Sequence, residues 1–176
     1  MDLDALERSL TPRTRLLVLN FPHNPTGFLP TRAEFEAVLA LAGRHGITVF
    51  CDEMYRLLEH DPAARLPAVC EVYEKGVSLA GLSKSFALPG LRIGWLAAQD
   101  PALAQRWLAF KDYTTICSSA PSEILAIMAL QNSGPILSRN RGIVLQNTTL
   151  AENFCRAYPQ WFEWIPPQAG SIAFPR

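Results

Sequence analysis

Apolar and polar positions along the chain alternate between two rhythms. Leu3, Leu6 and Leu10 recur at helical spacing, and Thr11-Pro12 ends that pattern, which predicts a short helix over residues 2–10. Residues 16–20 form an unbroken apolar run of strand length, followed by the loop sequence PHNPTG. Residues 31–45 carry the clearest helical signal. Thr31 and Glu34 make a capping box, Phe35, Val38, Leu39 and Ala42 recur on one face, and Gly46 stands where a C-terminal cap belongs. Further apolar runs at 47–51, 77–80 and 93–98 predict three more strands. The second half is predicted helical at 101–111, 122–131 and 134–158, the last burying Ile136, Ile143, Leu150 and Phe154. A closing strand is expected at 171–174.

Continuous apolar strands separated by a helix predict an α/β fold, with a parallel sheet covered on both faces. Ligands of such sheets gather at the loops beyond the carboxyl ends of the strands. Three loops leave predicted strands at that end, PHNPTG, CDEMY and GLSKS, and all three are polar.

Composition narrows the field. The chain is 49% hydrophobic, enough for a core in 176 residues, and its 14 prolines are scattered as turn markers rather than gathered in a linker. Lys plus Arg and Asp plus Glu each total 16, so the net charge is zero and there is no footprint for nucleic acid. No apolar run approaches the roughly 18–20 residues that span a bilayer. The acidic first ten residues lack a signal core. Cys51, Cys70, Cys117 and Cys155 are scattered, with no close pairing among them or with the histidines that would suit a metal. A cytoplasmic protein with reduced cysteines and no metal is expected.

The chemistry centres on Lys84. A lone lysine is ordinarily a solvated surface group. This one directly follows a buried-looking strand, flanked by Ser83 and Ser85, and Arg92 follows eight residues on. An amine at a strand end can form a Schiff base with a phosphorylated carbonyl cofactor, and an arginine fork can hold the phosphate. Asp52 ends another strand. By itself it reads as a turn carboxylate, but a buried carboxylate needs a cation, and a protonated pyridine nitrogen is one. Tyr55 adds a phenol donor. Asn24 sits in N-P-T-G, where Pro25 and Gly27 suit a tight turn.

Residues 81–94, GLSKSFALPGLRIG, resemble the lysine-attachment signature of class I aminotransferases, members of the pyridoxal-phosphate fold type I superfamily. NPTG at 24–27 and DEMY at 52–55 resemble two further motifs of that family, in the right order and at fitting intervals. The resemblance covers essentially the whole chain. It implies an α/β fold: a three-layer large domain with a mostly parallel sheet between helices, incomplete, with the start of the small domain. The implied division is 1–133 for the later part of the large domain, 134–158 for a long connecting helix and 159–176 for the start of the small domain. It implies pyridoxal 5'-phosphate as cofactor. Lys84 resembles the lysine that attaches the cofactor and shuttles the substrate proton, Asp52 the partner of the pyridine nitrogen, Tyr55 and Asn24 the pair on the ring hydroxyl, and Arg92 the phosphate anchor. One departure is Gly81, where many relatives have serine.

Family members are usually more than twice as long, so the resemblance implies a fragment of a longer enzyme. The family's phosphate loop, its ring-stacking aromatic residue and its substrate-carboxylate arginine have no counterpart in these residues; Arg176 comes too early for the last role. The implied activity is transfer of an amino group from an amino acid to a 2-oxo acid, by a homodimer in the full-length context. Two other readings stand beside it. One is a lyase, cyclase or synthase using the same Lys–Asp–Arg set. The other is a non-catalytic cofactor-binding module or an inactive remnant.

Overall fold

Helix α1 (Leu3–Ser9) starts at Asp2, whose carboxylate accepts from the Ala5 backbone N–H at 2.8 Å, in a computed structural model that describes residues 1–176. Leu3, Leu6 and Leu10 pack together against the main core, as their spacing predicts. Strand β1 (Leu16–Asn20) follows, then helix α2 (Arg32–Arg44). The capping box is formed in both directions: Glu34 N–H donates to the Thr31 hydroxyl at 3.2 Å and Thr31 N–H to the Glu34 carboxylate at 2.8 Å. Such a cap contributes about 1 kcal/mol. Gly46 ends the helix with φ +62°, a left-handed conformation that costs glycine little.

Strands β2 (Thr48–Asp52), β3 (Gly76–Gly81) and β4 (Gly94–Ala98) complete one sheet in the order β1-β2-β3-β4. A short helix α3 (Val69–Val72) precedes β3. The first three strands are parallel, whereas β4 runs antiparallel to β3. A parallel crossover needs a dozen or more residues, usually with a helix. Residues 82–93 between β3 and β4 hold only a single 3₁₀ turn, Pro89–Leu91, so the chain turns straight back.

The core lies on one face of the sheet. Leu19, Val49 and Cys51 point from the strands onto Phe35, Val38, Leu39 and Ala42 of α2, with Ile47 and Val69 at the side. Burying a side chain of this size contributes roughly 1.5–3 kcal/mol. The other face is largely open. Leu16, Val18 and Leu96 are 52%, 64% and 44% exposed. A cavity of about 780 Å³ lies along this face, between Leu16, Phe50, Val77 and Leu96 of the sheet and Trp107 of helix α4 (Pro101–Asp112).

Helix α5 (Ala120–Gln131) is apolar on all sides, buries Ala126 and Ala129, and leaves Ile124, Ile127 and Met128 more than half exposed. Helix α6 (Ser133–Ala157) forms where the periodicity places it, but its burial does not follow. Asn140 and Cys155 are its buried residues, Ile136 is half-buried, and Ile143, Leu150 and Phe154 are exposed. The first turns of α6 meet a second, small cluster of Leu82, Phe86 and Ala126, joined by Ile136 and Leu137. Further along, the Phe154 ring packs at a tilt against those of Tyr158 and Phe162, with centroids 5.1 and 5.7 Å away.

The strand expected at 171–174 does not form. Pro166, Pro167 and Pro175 lack backbone donors, and the segment finds no ladder. Ala169 makes an isolated bridge with Glu59, and Glu163 and Arg176 exchange a pair of backbone hydrogen bonds. No helix is long and apolar enough to cross a membrane. All four cysteines are free thiols.

Candidate active site

Asn20, Asp52 and Leu79 lie on one rung at the carboxyl end of the three parallel strands. Neighbouring strands are about 4.8 Å apart, so the loops leaving them project side by side. Because β4 runs back, its first residues lie at this same end, with Gly94 opposite Gly81. The antiparallel turn therefore brings Arg92 to the end of the sheet that carries Lys84.

Asn20 ties the first two loops together. Its amide nitrogen donates to the Asp52 carbonyl at 3.1 Å, and its side-chain oxygen accepts the Asn24 backbone N–H at 2.7 Å. The NPTG turn is closed by His23 N–H to Phe28 O at 2.9 Å, by Gly27 N–H to His23 O at 2.8 Å, and by a 2.7 Å contact of the His23 ring with the Thr26 hydroxyl. Gly27 has φ +67°, and a Cβ there would stand 2.3 Å from that of Pro167. Only glycine lets the later segment cross here, where Gln168 and Ala169 both donate to the Gly27 carbonyl. Gly170 then lies against the Tyr55 ring.

Asp52 is half-buried, and one of its carboxylate oxygens accepts the Met54 N–H at 3.1 Å. Glu53 is buried on the opposite side of the strand end. Its carboxylate takes the Val69 N–H at 2.7 Å and the Ser78 hydroxyl at 2.9 Å. Burial pushes its pKa up, against the pull of those two donors and of Arg56. Tyr55 is buried, and the Lys84 ammonium lies 5.7 Å from its ring centroid. Such contacts contribute about 0.5–1 kcal/mol where solvent reaches them, as it does Lys84.

Ser85 joins the lysine loop to the Asp52–Tyr55 loop. Its hydroxyl is shared between the Arg56 carbonyl at 2.5 Å and the Met54 carbonyl at 3.2 Å. Arg92 stands just before β4 in a left-handed conformation, φ +55°, with its guanidinium on the Pro89 carbonyl at 2.8 Å. Gly81 explains the departure from serine at that position. A Cβ on it would meet Ile93 O at 3.0 Å and Gly94 Cα at 3.1 Å.

Of the five residues singled out in the sequence, Lys84 and Tyr55 are in contact range, and Asn24 and Asp52 are joined through Asn20. Arg92 shares the same end of the sheet but is hydrogen-bonded to none of the other four. Asn20, Glu53 and Ser85 escaped the sequence reading. A polar residue closing an apolar strand was the available signal for Asn20. The partners of Glu53 and Ser85 are distant in sequence and left none.

The donor set suits a phosphorylated pyridine carbonyl. The Lys84 amine, the Tyr55 hydroxyl, the Asn24 amide and the second Asp52 oxygen are engaged in no hydrogen bond within the chain. An amine, a carboxylate, a phenol, an amide and an arginine thus lie on loops at one end of one sheet.

A cofactor-binding α/β domain of the fold type I architecture is what this sheet and its loops define. The chain belongs to the family described as aminotransferase class I and II, whose model matches residues 1–176. Pyridoxal phosphate is the cofactor this membership implies. The chain is 30% identical over 134 residues to aromatic-amino-acid aminotransferase 2 of Thermococcus litoralis, covering 75% of this chain and 34% of that protein. It is 30% identical over 177 residues to capreomycidine synthase of Streptomyces vinaceus, covering 99% of this chain and 44% of that one. A crystal structure of a PLP-dependent aminotransferase from Streptococcus suis superimposes with a TM-score of 0.89 at 32% identity, over 96% of this chain and 44% of that chain. The chain thus spans between about a third and just under half of the length of these relatives.

Proposed function

We propose that this chain carries the lysine-bearing half of the site of a pyridoxal-phosphate-dependent aminotransferase, which moves an amino group from an amino acid to a 2-oxo acid. The observation that carries the reading is the junction of Lys84 and Tyr55 at the carboxyl end of the strand set that also presents Asp52. In this reading residues 1–133 are the later part of the large domain, 134–158 the connecting helix and 159–176 the start of the small domain. A second copy of the full-length protein is the proposed partner. Four free thiols support a cytoplasmic compartment.

When bound, pyridoxal phosphate supplies an electron sink for the charge left on the substrate carbon after deprotonation. Each residue has its own part. Lys84 would hold the cofactor through its amine and carry the substrate proton at Nζ. The Asp52 carboxylate would hold the protonated ring nitrogen, a charge-assisted contact of roughly 1.5–3 kcal/mol. Tyr55 and Asn24 donate to the ring hydroxyl and orient the ring. Arg92, whose guanidinium rests on the Pro89 carbonyl, would hold the phosphate. The Pro167–Gly170 segment, crossing Gly27 and Tyr55, shields this edge from water.

Borohydride reduction of the full chain with pyridoxal phosphate, followed by peptide mass analysis, tests the reading. The expected adduct is on Lys84. Labelling confined to Lys75 or Lys111 overturns it. The likeness to a solved PLP-dependent cyclase, with a TM-score of 0.88 at 27% identity over 97% of this chain, favours one second reading, a cyclase using the same residues. Product analysis separates the two: a transaminase returns a new amino acid from the 2-oxo acid, whereas a cyclase returns a ring-closed product without needing one.

A further inference from the structure

We propose that Asn140, in the connecting helix α6, is a positioning residue that holds the loop bearing Lys84 against the loop bearing Asp52 and Tyr55. The inference rests on the role proposed for Lys84. Asn140 is 7% exposed, a buried polar side chain in a helix whose apolar residues are largely exposed. Its amide nitrogen donates to the Ser85 carbonyl at 3.0 Å, and its oxygen accepts from Arg139 at 3.1 Å. Ser85 is itself 2% exposed, and its hydroxyl engages Arg56 and Met54. One residue next to Lys84 is thus held from two sides, by α6 through its carbonyl and by the Asp52–Tyr55 loop through its hydroxyl.

The surroundings give this contact its leverage. Leu82 and Phe86 flank the lysine and pack with Ala126 of α5 and with Ile136 and Leu137, which precede Asn140 by about one turn of α6. Ala87 and Leu57, one in each loop, have φ +55° and +78°, left-handed conformations that non-glycine residues hold only when their surroundings impose them. Glu59, buried and paired with Arg65 at 3.0 Å, also takes the Leu57 N–H at 3.1 Å. Without the Asn140 donor, the buried Ser85 carbonyl loses its side-chain partner and the lysine loop its hydrogen-bonded tie to α6, leaving only the apolar contacts.

Hydrogen exchange of the full chain, without cofactor, tests this directly. Asn140→Asp keeps the shape and the Arg139 contact but removes the donor. Asn140→Leu removes both polar contacts without adding a charge. In both variants residues 82–88 and 53–57 should exchange about tenfold faster, the loss expected for one buried hydrogen bond, while β1 and α2 keep wild-type protection. Borohydride trapping on Lys84 should fall severalfold at limiting cofactor, and the absorbance band of the Lys84-bound cofactor should weaken in parallel. Wild-type exchange at 82–88 in both variants overturns the proposal. So does an equal rise in α2 and β1, because that is the behaviour of an asparagine that only stabilises the whole fold. Wild-type protein that takes no adduct on Lys84 refutes the functional reading instead, a result the exchange measurement does not share.

Discussion

The side chain of Asn20 bridges the Asp52 carbonyl and the Asn24 backbone N–H, at 3.1 and 2.7 Å. Two of the proposed cofactor-binding residues, Asp52 at the end of β2 and Asn24 in the loop after β1, are thereby held together through their backbones by a third. Asn20→Ala should lower stability by about 1–2 kcal/mol, the net worth of two part-buried hydrogen bonds. Chemical denaturation measures the loss, and hydrogen exchange should place it in residues 21–28. An Asn20→Ala chain with unchanged protection there would show that the NPTG turn holds itself.

Gly81 makes a second relationship testable. Its ideal Cβ position is 3.0 Å from the Ile93 carbonyl and 3.1 Å from Gly94 Cα, both backbone atoms that cannot swing aside. Gly81→Ser should therefore cost about 1–3 kcal/mol through overpacking of the β3–β4 ladder. The thermal midpoint of the variant is the measurement, and a midpoint equal to or above that of the parent would mean that the ladder yields.

Glu53 predicts a pH dependence. Burial raises its folded-state pKa above the ordinary value of 4.5, so the native state binds a proton more tightly than the unfolded chain. Its contribution is fully present below the unfolded pKa and is lost as pH rises through the folded one. Glu53→Gln keeps an oxygen for Val69 N–H and Ser78 and cannot ionise. The variant should flatten the decline in stability above pH 4.5 and exceed the parent near neutrality. Urea midpoints taken from pH 4 to 8 decide the matter, and parallel curves for parent and variant would remove Glu53 as the cause.

The open face of the sheet predicts association. Leu16, Val18 and Leu96 are exposed on it, and β1 has no neighbour on its outer side. Exposed apolar faces and unpaired strand edges both promote self-association. The 19.5 kDa chain should elute from a sizing column as a larger species. Changing Val18 and Leu96 together to threonine should shift it toward the monomer. Light scattering that reads a monomer for the parent would contradict this.

Local and near-local signals in the sequence determined much of this protein. The capping box of α2, the left-handed Gly46, the run of β1 and the strand-end places of Asp52 and Lys84 all follow from contacts within a few residues, where periodicity and turn chemistry act. The motifs that carry Asn24, Asp52, Tyr55, Lys84 and Arg92 could be read for the same reason, because each is contiguous. Tertiary structure alone decided the rest. Strand β4 runs antiparallel because residues 82–93 hold no crossover helix. Residues 171–174 stay out of the sheet because a strand needs a neighbour that no local pattern can supply. In α6 the apolar spacing pointed to Ile143, Leu150 and Phe154, yet the helix buries Asn140, since burial depends on what a face meets rather than on its own composition. The ties through Asn20, Ser85 and Asn140 were invisible for that physical reason: each joins groups brought together only by folding, and in the case of Ser85 and Asn140 they lie 55 residues apart in the chain.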